Sequence, residues 1–322
     1  MQEHVDSPRE GLTVNVVSES AFGYEGQGVH TAFLQNCEVV RNAGHTVLAN
    51  SPERADLLHL HSLGPWAMSH ILGKARRTVI TAHVVPDSFL GSLIFAKAWR
   101  PFAIAWMWFC YNLPGAVVAV SPEVRDSLEA LGVRSDIRIV PNGVDCERFR
   151  RDPDAGARFR ERFGIGADDY VVLGVGQVQP RKGIDDFVAA ARALPQATFV
   201  WVGGMPFKHF TAGHHHMDVV MASAPPNVKF TGEVPFDEMP GAYSGADAFL
   251  FPSVQETFGL GAIEAAAAGL PMVLRDLPVF AEIFDGAYLP AADAASMAVQ
   301  IHSLMLDEEL ARDRAEAAVA LA

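Results

Sequence analysis

Cysteine is scarce in this 322-residue chain: Cys37, Cys110 and Cys146 are an odd number at wide spacing, with no Cys-x-x-Cys pair. That excludes a disulfide framework and leaves no zinc or redox signature, so the three read as reduced core or incidental thiols. A secretory leader is not expected either. Residues Met1 to Leu12 are charged and carry no apolar run of the kind a signal peptide requires, which leads to the expectation of a cytoplasmic protein. Positive charge is in deficit, 25 Lys and Arg against 38 Asp and Glu, for a net charge of −13. Nucleic acid is thereby disfavoured as a main partner, because phosphate binding needs a basic footprint. The deficit is uneven. Residues 1–150 hold thirteen basic and fifteen acidic side chains, net −2, whereas residues 151–322 hold twelve and twenty-three, net −11. The near-neutral first half is the one free to approach an anionic surface.

What the chain has in plenty is apolar sequence, half of all residues, in short runs that alternate with helical patterns. That rhythm belongs to parallel α/β architecture rather than to a sandwich or a bundle. Strands are predicted at Thr13 to Ser18, His45 to Ala49, Leu57 to Leu60, Thr78 to Ala82, Val117 to Val120 and Ile137 to Val140. A turn at Pro141-Asn142-Gly143 and a charged stretch from Asp145 to Arg162 interrupt the scheme. It then repeats, with strands predicted at Tyr170 to Val175, Thr198 to Val202, Val228 to Phe230, Ala248 to Phe251 and Met272 to Leu274. The length suits two domains of about 150 residues each. The expectation is therefore two Rossmann-like domains, 1–160 and 161–322, facing each other across a cleft, with ligands bound by the loops beyond the carboxyl ends of the strands.

Of those loops, the most informative follows Phe251-Pro252-Ser253. It reads Val254-Gln255-Glu256-Thr257-Phe258-Gly259-Leu260-Gly261 and runs into a helix-forming stretch, Ala262 to Ala268. A glycine turn ahead of a helix aims free N–H groups and the positive end of the helix dipole at the cleft, which suits a diphosphate. Glu256 in the turn and Glu264 in the helix can accept hydrogen bonds from hydroxyls at two ends of one nucleotide-sugar. As a hydrolase acid and nucleophile the pair fits poorly. Eight residues of helix rise about 12 Å, against the roughly 5 to 9.5 Å that glycosidase carboxylates need. A second loop, Gly174-Val-Gly176-Gln177-Val178-Gln179-Pro180-Arg181-Lys182-Gly183, follows the first strand of the second domain. Arg181 and Lys182 there can neutralise a leaving diphosphate as fixed charges, without a metal. Alone, either glutamate or the basic pair would be ordinary solvated charge; the combination is what carries meaning.

Together these residues resemble the retaining GT-B glycosyltransferases of family four, over nearly the whole chain. The resemblance implies that Glu256 and Glu264, as the family's Glu-x7-Glu element, hold the donor sugar and the ribose, and that Arg181 and Lys182 hold the diphosphate. The donor loop Phe258, Gly259 and Leu260 belongs to the same site, and the backbone near Glu233 and Val234 receives the base. Gln177 departs from the pattern, since the family often carries arginine there, and this puts more of the diphosphate contact on Arg181 and Lys182. The segments Ala224 to Gly232, Tyr243 to Ser253 and Pro141 to Asp145 look like family framework. The stretches Arg181 to Phe187, Phe199 to Gly203 and Val273 to Phe280 look most like bacterial enzymes that add a hexose to glycosylated diacylglycerol.

In the first half, Gly26-Gln27-Gly28 opens a glycine turn, but Thr31 stands where the dinucleotide fingerprint wants Gly or Ala. By the resemblance this loop, with Gly26 and Gly28, borders the donor phosphates, where small residues let the backbone approach. His59, His61 and His83 gather at strand ends. Any one of them alone reads as a structural histidine, while the resemblance implies that His83 contacts the donor sugar beside the reacting carbon. His214-His215-His216 is taken as a loop, because adjacent residues cannot easily turn three imidazoles onto one ion. The segment Phe89 to Tyr111 is unusually aromatic. On a helical wheel Phe95, Trp99, Phe102, Trp106 and Phe109 share a side opposite Lys97 and Arg100, the layout of an interfacial helix. It is not expected to span a bilayer, since each central charge costs roughly 3 kcal/mol. The other reading is plain core packing, with Pro101 splitting the region into two helices.

The expected activity is transfer of a hexose from a nucleotide-sugar, UDP-hexose by preference, to a hydroxyl acceptor. A diacylglycerol glycolipid on an anionic membrane, with the protein peripheral on the inner face, would suit the aromatic segment. No Asp-x-Asp element stands in a convincing loop, so no metal or other cofactor is expected. The rivals are GDP-mannose-dependent transfer, a nucleotide-sugar epimerase or hydrolase, and a non-catalytic nucleotide-sugar-binding module.

Overall fold

The computed structural model describes residues 11–22, 28–71, 75–86, 96–205 and 214–322, with backbone alone at 75–76 and 96–99. Two six-stranded sheets organise it, and every strand pairing within them is parallel. The first contains β1 (Thr13–Val17), β2 (Thr46–Ala49), β3 (Ala55–Leu60), β4 (Ala75–Ala82), β5 (Ala116–Ala119) and β6 (Asp136–Ile139), in the order β2-β1-β3-β4-β5-β6. The second contains β7 (Val171–Val175), β8 (Thr198–Val202), β9 (Val228–Gly232), β10 (Ala248–Phe251), β11 (Met272–Arg275) and β12 (Tyr288–Ala291), in the order β12-β11-β10-β7-β8-β9.

The inner strands are apolar without alternation because helices cover both faces of a parallel sheet. All four residues of β10, Ala-Phe-Leu-Phe, are buried, as are those of β11. Trp201, Phe199, Phe249 and Phe251 are fully enclosed in the second sheet, and Leu58, Leu60, Ile80 and Val117 in the first. Eleven of the twelve strands were predicted to within a few residues. The twelfth, β12, was missed because Pro290 interrupts its pattern; it lies on the sheet edge, where a missing N–H donor is tolerated.

Two further expectations are corrected. His214, His215 and His216 form the first turn of the helix His214–Ala222, not a loop. His216 Nε2 meets Asp185 Oδ1 at 2.8 Å, and His214 Nδ1 lies 2.8 Å from Met205 Sδ, so their side chains are spent on separate neighbours. Pro101 does not divide the aromatic segment. It sits inside one helix, Ala96–Tyr111, as its sixth residue, where the lost N–H removes a single intrahelical bond.

Between the sheets the chain makes two short capped helices. Asp145 accepts from Arg148 N at 3.0 Å to start Cys146–Phe149. Asp152 accepts from Asp154 N and Ala155 N to start Pro153–Arg162, so the one Asp-x-Asp sequence at that point is a helix cap. This second helix packs backbone to backbone on Met239–Ser244: a Cβ on Gly156 would come within 2.7 Å of the Ser244 carbonyl.

Candidate active site

The order of the second sheet reverses between β7 and β10, the chain leaving β7 toward β8 on one side and returning to β10 on the other. Ligands of such sheets bind at that switch point, beyond the strand carboxyl ends. The two loops that leave there are the two singled out in the sequence, and they touch. Lys182, in the single 3-10 turn Pro180–Lys182 after β7, forms an ion pair with Glu256, in the loop after β10. The side chains are only 12% and 9% exposed. Glycines permit the approach. Gly183 has φ +71°, and a Cβ there would sit 2.2 Å from the Pro252 carbonyl oxygen of the facing loop. Gly203 has φ +142°, and a Cβ there would sit 2.0 Å from the Gly176 carbonyl, so the ends of β7 and β8 are pinned together.

The two partners respond differently to enclosure: burial lowers the Lys182 ammonium below its ordinary range in spite of the Glu256 charge. Burial opposes ionisation of Glu256, but the Lys182 and Arg181 charges outweigh it and hold the carboxyl below its ordinary range. Lys182 also stands over the Phe251 ring, 5.1 Å from its centroid. Arg181 is steadied through a side-chain relay. Its Nε donates to Gln179 Oε1 at 3.2 Å, and Gln179 in turn donates to Gln177. Gln177 thus occupies the cleft wall as an anchor of the basic turn, a role the sequence did not disclose.

Glu264 lies one turn into the helix Leu260–Ala267 and is 5% exposed. Tyr243 donates its hydroxyl to Glu264 Oε2 at 2.6 Å. Burial pushes the Glu264 carboxyl up to about 7 despite that hydrogen bond, so near neutrality it is poised between acid and carboxylate. The helix that carries it begins after Gly259, whose φ of +94° and lack of a side chain leave the first turn without a side-chain cap. The N–H groups of Leu260 and Gly261 therefore have no intrahelical acceptor, and both residues line the cleft. A second helix start faces them: a Cβ on Gly28, the first residue of Gly28–Asn42, would lie 3.5 Å from Leu260 Cδ1. Two positive helix ends thus converge on one space, a ready anion site.

That space is a cleft of about 360 Å³ between the two sheets. It is lined by Gly28, His83, Gln177, Arg181, Lys182, Val234, Glu256, Phe258, Gly259, Leu260 and Glu264, which are the sequence-predicted donor residues apart from Gly26, a position outside the described residues. Glu233, expected beside Val234, lines it too, and Thr31, Val84, Asn142 and Phe236 join them without having been singled out as site residues. Their contribution depends on the closure of the sheets upon each other, which no local pattern records. A small crevice continues from Glu256 and Thr257 to Glu123 and Ser127 on the first sheet's side. Among the described residues no group of three His, Cys, Asp or Glu is arranged to hold a metal ion.

On the first sheet, His83 follows β4 and His61 follows β3. Burial lowers the His83 imidazole to about 4, and His59 likewise. Farther out, the helix Ala96–Tyr111 buries Met107, Cys110 and Tyr111 and turns Phe102, Trp106, Trp108 and Phe109 outward, with Phe102 71% exposed. Trp106 is oriented by its indole N–H, which donates to the Leu63 carbonyl at 2.7 Å. Arg100 is exposed on the same helix. Of the other residues expected to take part in that interfacial layout, Phe95 lies outside the described residues, as do the side chains of Lys97 and Trp99. No described helix is long and apolar enough to cross a membrane.

The geometry defines a two-sheet cleft built to grip a polyanionic ligand from the second sheet. Comparison with known proteins gives the class. Residues 14–148 match the model of glycosyltransferase family 4, and residues 169–307 match that of glycosyl transferases group 1. The chain is 32% identical over 314 residues to an alpha-galactosylglucosyldiacylglycerol synthase of Streptococcus pneumoniae, covering 95% of this chain and 84% of that protein. It is 28% identical to a processive diacylglycerol alpha-glucosyltransferase of Acholeplasma laidlawii, over 84% of this chain and 80% of the other. Among solved structures, Anabaena HepE in complex with UDP-glucose superposes with a TM-score of 0.75 at 17% identity, covering 96% and 94% of the two chains. The chain belongs to the family-four glycosyltransferases and has their GT-B fold. It is a hexosyltransferase.

Proposed function

We propose that the protein transfers a hexose from a UDP-sugar to a hydroxyl of a diacylglycerol glycolipid, with retention of anomeric configuration. The observation that carries the reading is the meeting of the Arg181-Lys182 turn and the Glu256 loop at the switch point, opposite two helix N-termini. Such a site holds a diphosphate without needing a metal, and fixed charges there stabilise the negative charge that develops as the diphosphate leaves. Glu256 takes hydroxyls of the donor sugar, Glu264 those of the ribose, and the backbone near Val234 the base. His83 touches the sugar beside its reacting carbon.

In the transfer step the bond from the anomeric carbon to the diphosphate oxygen breaks. The acceptor oxygen bonds to that carbon on the same face, and the acceptor proton passes to the departing phosphate oxygen. No side chain is needed as a nucleophile. The lipid acceptor is supported by the names of the two curated relatives, both of which act on diacylglycerol lipids, and by the outward aromatic face of Ala96–Tyr111.

A panel of UDP- and GDP-sugars, with and without diacylglycerol glycolipids in anionic liposomes, tests the proposal. Expected is acceptor-dependent glycolipid formation from a UDP-hexose, persisting in EDTA, with the anomeric configuration kept by NMR. Preference for GDP-mannose would overturn the donor assignment. Free sugar or an epimer released equally without acceptor would overturn the transfer itself.

A further inference from the structure

His61 follows β3 at the point where the first sheet's order reverses, between β1 and β3, and is 3% exposed. Its Nδ1 lies 3.0 Å from Nε2 of His83, which lines the cleft. The two rings are nearly parallel, 25° apart, with centroids separated by 5.2 Å. A contact of two imidazole nitrogens at this distance requires one N–H and one lone pair. Both rings are neutral, because burial and the crowding of His59, His61 and His83 disfavour the charged forms. Each ring therefore carries one proton, and the question is which nitrogen holds it.

The answer lies on the far side of His61. Its Nε2 is buried and has no hydrogen-bond partner among the described residues. If His83 Nε2 donated, the His61 proton would be left on that Nε2, a buried N–H with no acceptor, among the rarest and costliest arrangements in a protein interior. If His61 Nδ1 donates, only a lone pair is left unpaired there. We propose that His61 is a positioning residue, which by donating from Nδ1 to His83 Nε2 fixes His83 as its Nδ1–H tautomer and presents that single N–H to the sugar donor. The proposal rests, for its catalytic half, on the placement of His83 beside the donor sugar given above.

Two consequences follow for His83. With Nε2 engaged, Nδ1 is its one remaining ring atom for hydrogen bonding, and it makes none to a described residue. His83 then contributes a neutral donor to an oxygen of the sugar substrate and has no lone pair with which to act as a base. His59 supports the arrangement from the side: its Nε2 is taken by Thr81 Oγ1 at 2.7 Å, and its ring lies 4.5 Å from that of His61.

The tautomers are read directly by long-range ¹H–¹⁵N NMR of histidine-labelled protein without substrate. Nδ1-protonated rings at both His61 and His83 are expected; a proton on His83 Nε2 overturns the proposal. Kinetics give the second readout. Asparagine places an amide N–H close to where Nδ1 sits, so His61→Asn should keep kcat within about threefold of wild type. His61→Phe keeps the ring but not the donor, and should lower kcat about tenfold, the worth of one hydrogen bond, with little change in donor KM. Equal kcat in the two variants overturns the positioning role. Absence of any glycosyl transfer by the wild type would instead sink the proposed function, and the substrate-free NMR result separates that failure from this one.

Discussion

The two halves of the cleft are built by different means. The donor side draws its key groups from two short loops that leave neighbouring strands of one sheet, and each loop is written contiguously: Gly176 to Gly183 and Glu256 to Gly261. The first-sheet side is a mosaic, with Gly28 from one helix start and His83 backed by His61 from a different strand, and outside the cleft an aromatic helix displays Phe102 and Phe109. In the proposed function the donor side faces a ligand part that does not change from one acceptor to another, and a compact motif suffices for it. The other side would meet the acceptor, with its groups drawn from several elements. On that proposal donor recognition and acceptor choice are separable properties of the molecule.

That separation can be broken most severely at Lys182. Lys182→Ala should lower kcat by about 10² to 10³ with every acceptor, since it removes a fixed charge at the leaving group. It should also reduce stability by about 3–5 kcal/mol, because Glu256 would be left buried without its partner. Steady-state rates and thermal unfolding check the two effects, and a rate loss confined to lipid acceptors would contradict the donor assignment.

Glu264 makes the donor side sensitive to pH. With its carboxyl at about 7, the ionised form that accepts ribose hydroxyls grows as pH rises, so UDP affinity should tighten about tenfold between pH 6 and 8. Glu264→Gln should abolish that dependence and weaken binding to about the level seen at low pH, measured by calorimetry. The same shift affects folding with the opposite sign. The folded chain holds this proton more tightly than the unfolded one, so Glu264 costs stability progressively as pH climbs from 4.5 to about 7, and no further above it.

On the other side, replacing Phe102 and Phe109 together by serine should raise the apparent KM for glycolipid in vesicles several-fold, about 1–2 kcal/mol of lost apolar contact. UDP binding and transfer to a short-chain soluble acceptor should stay unchanged; an equal loss with both acceptors would end the docking role. Smallest of all, Arg138→Ser on the edge strand β6 removes only an exposed pair with Asp136 and should shift stability by less than about 0.5 kcal/mol by chemical denaturation.

The contrast also explains what could be read in advance. Glycine turns, adjacent charges and strand periodicity are local, so the loop from Glu256 to Gly261 and the turn at Arg181 and Lys182 were legible before any coordinates. Gln177 was legible as a departure, but its service to Arg181 through Gln179 was not, because a side-chain relay has no spacing rule. His83 could be found by resemblance, whereas its bond to His61 depends on two strands being neighbours. Tyr243 looked like framework and proves to set the environment of Glu264. β12 was hidden by its own proline, and the three adjacent histidines were mistaken for a loop because their helix continues in residues that carry little apolar periodicity.

Whether one donor-gripping half serves a transfer whose acceptor is chosen by the other is decided by following labelled UDP-hexose in the presence of glycosyl-diacylglycerol liposomes, with a parallel reaction lacking acceptor. Label should pass into glycolipid and require the lipid, while UDP binds equally in both reactions. Release of free hexose at the same rate with and without acceptor would contradict the account.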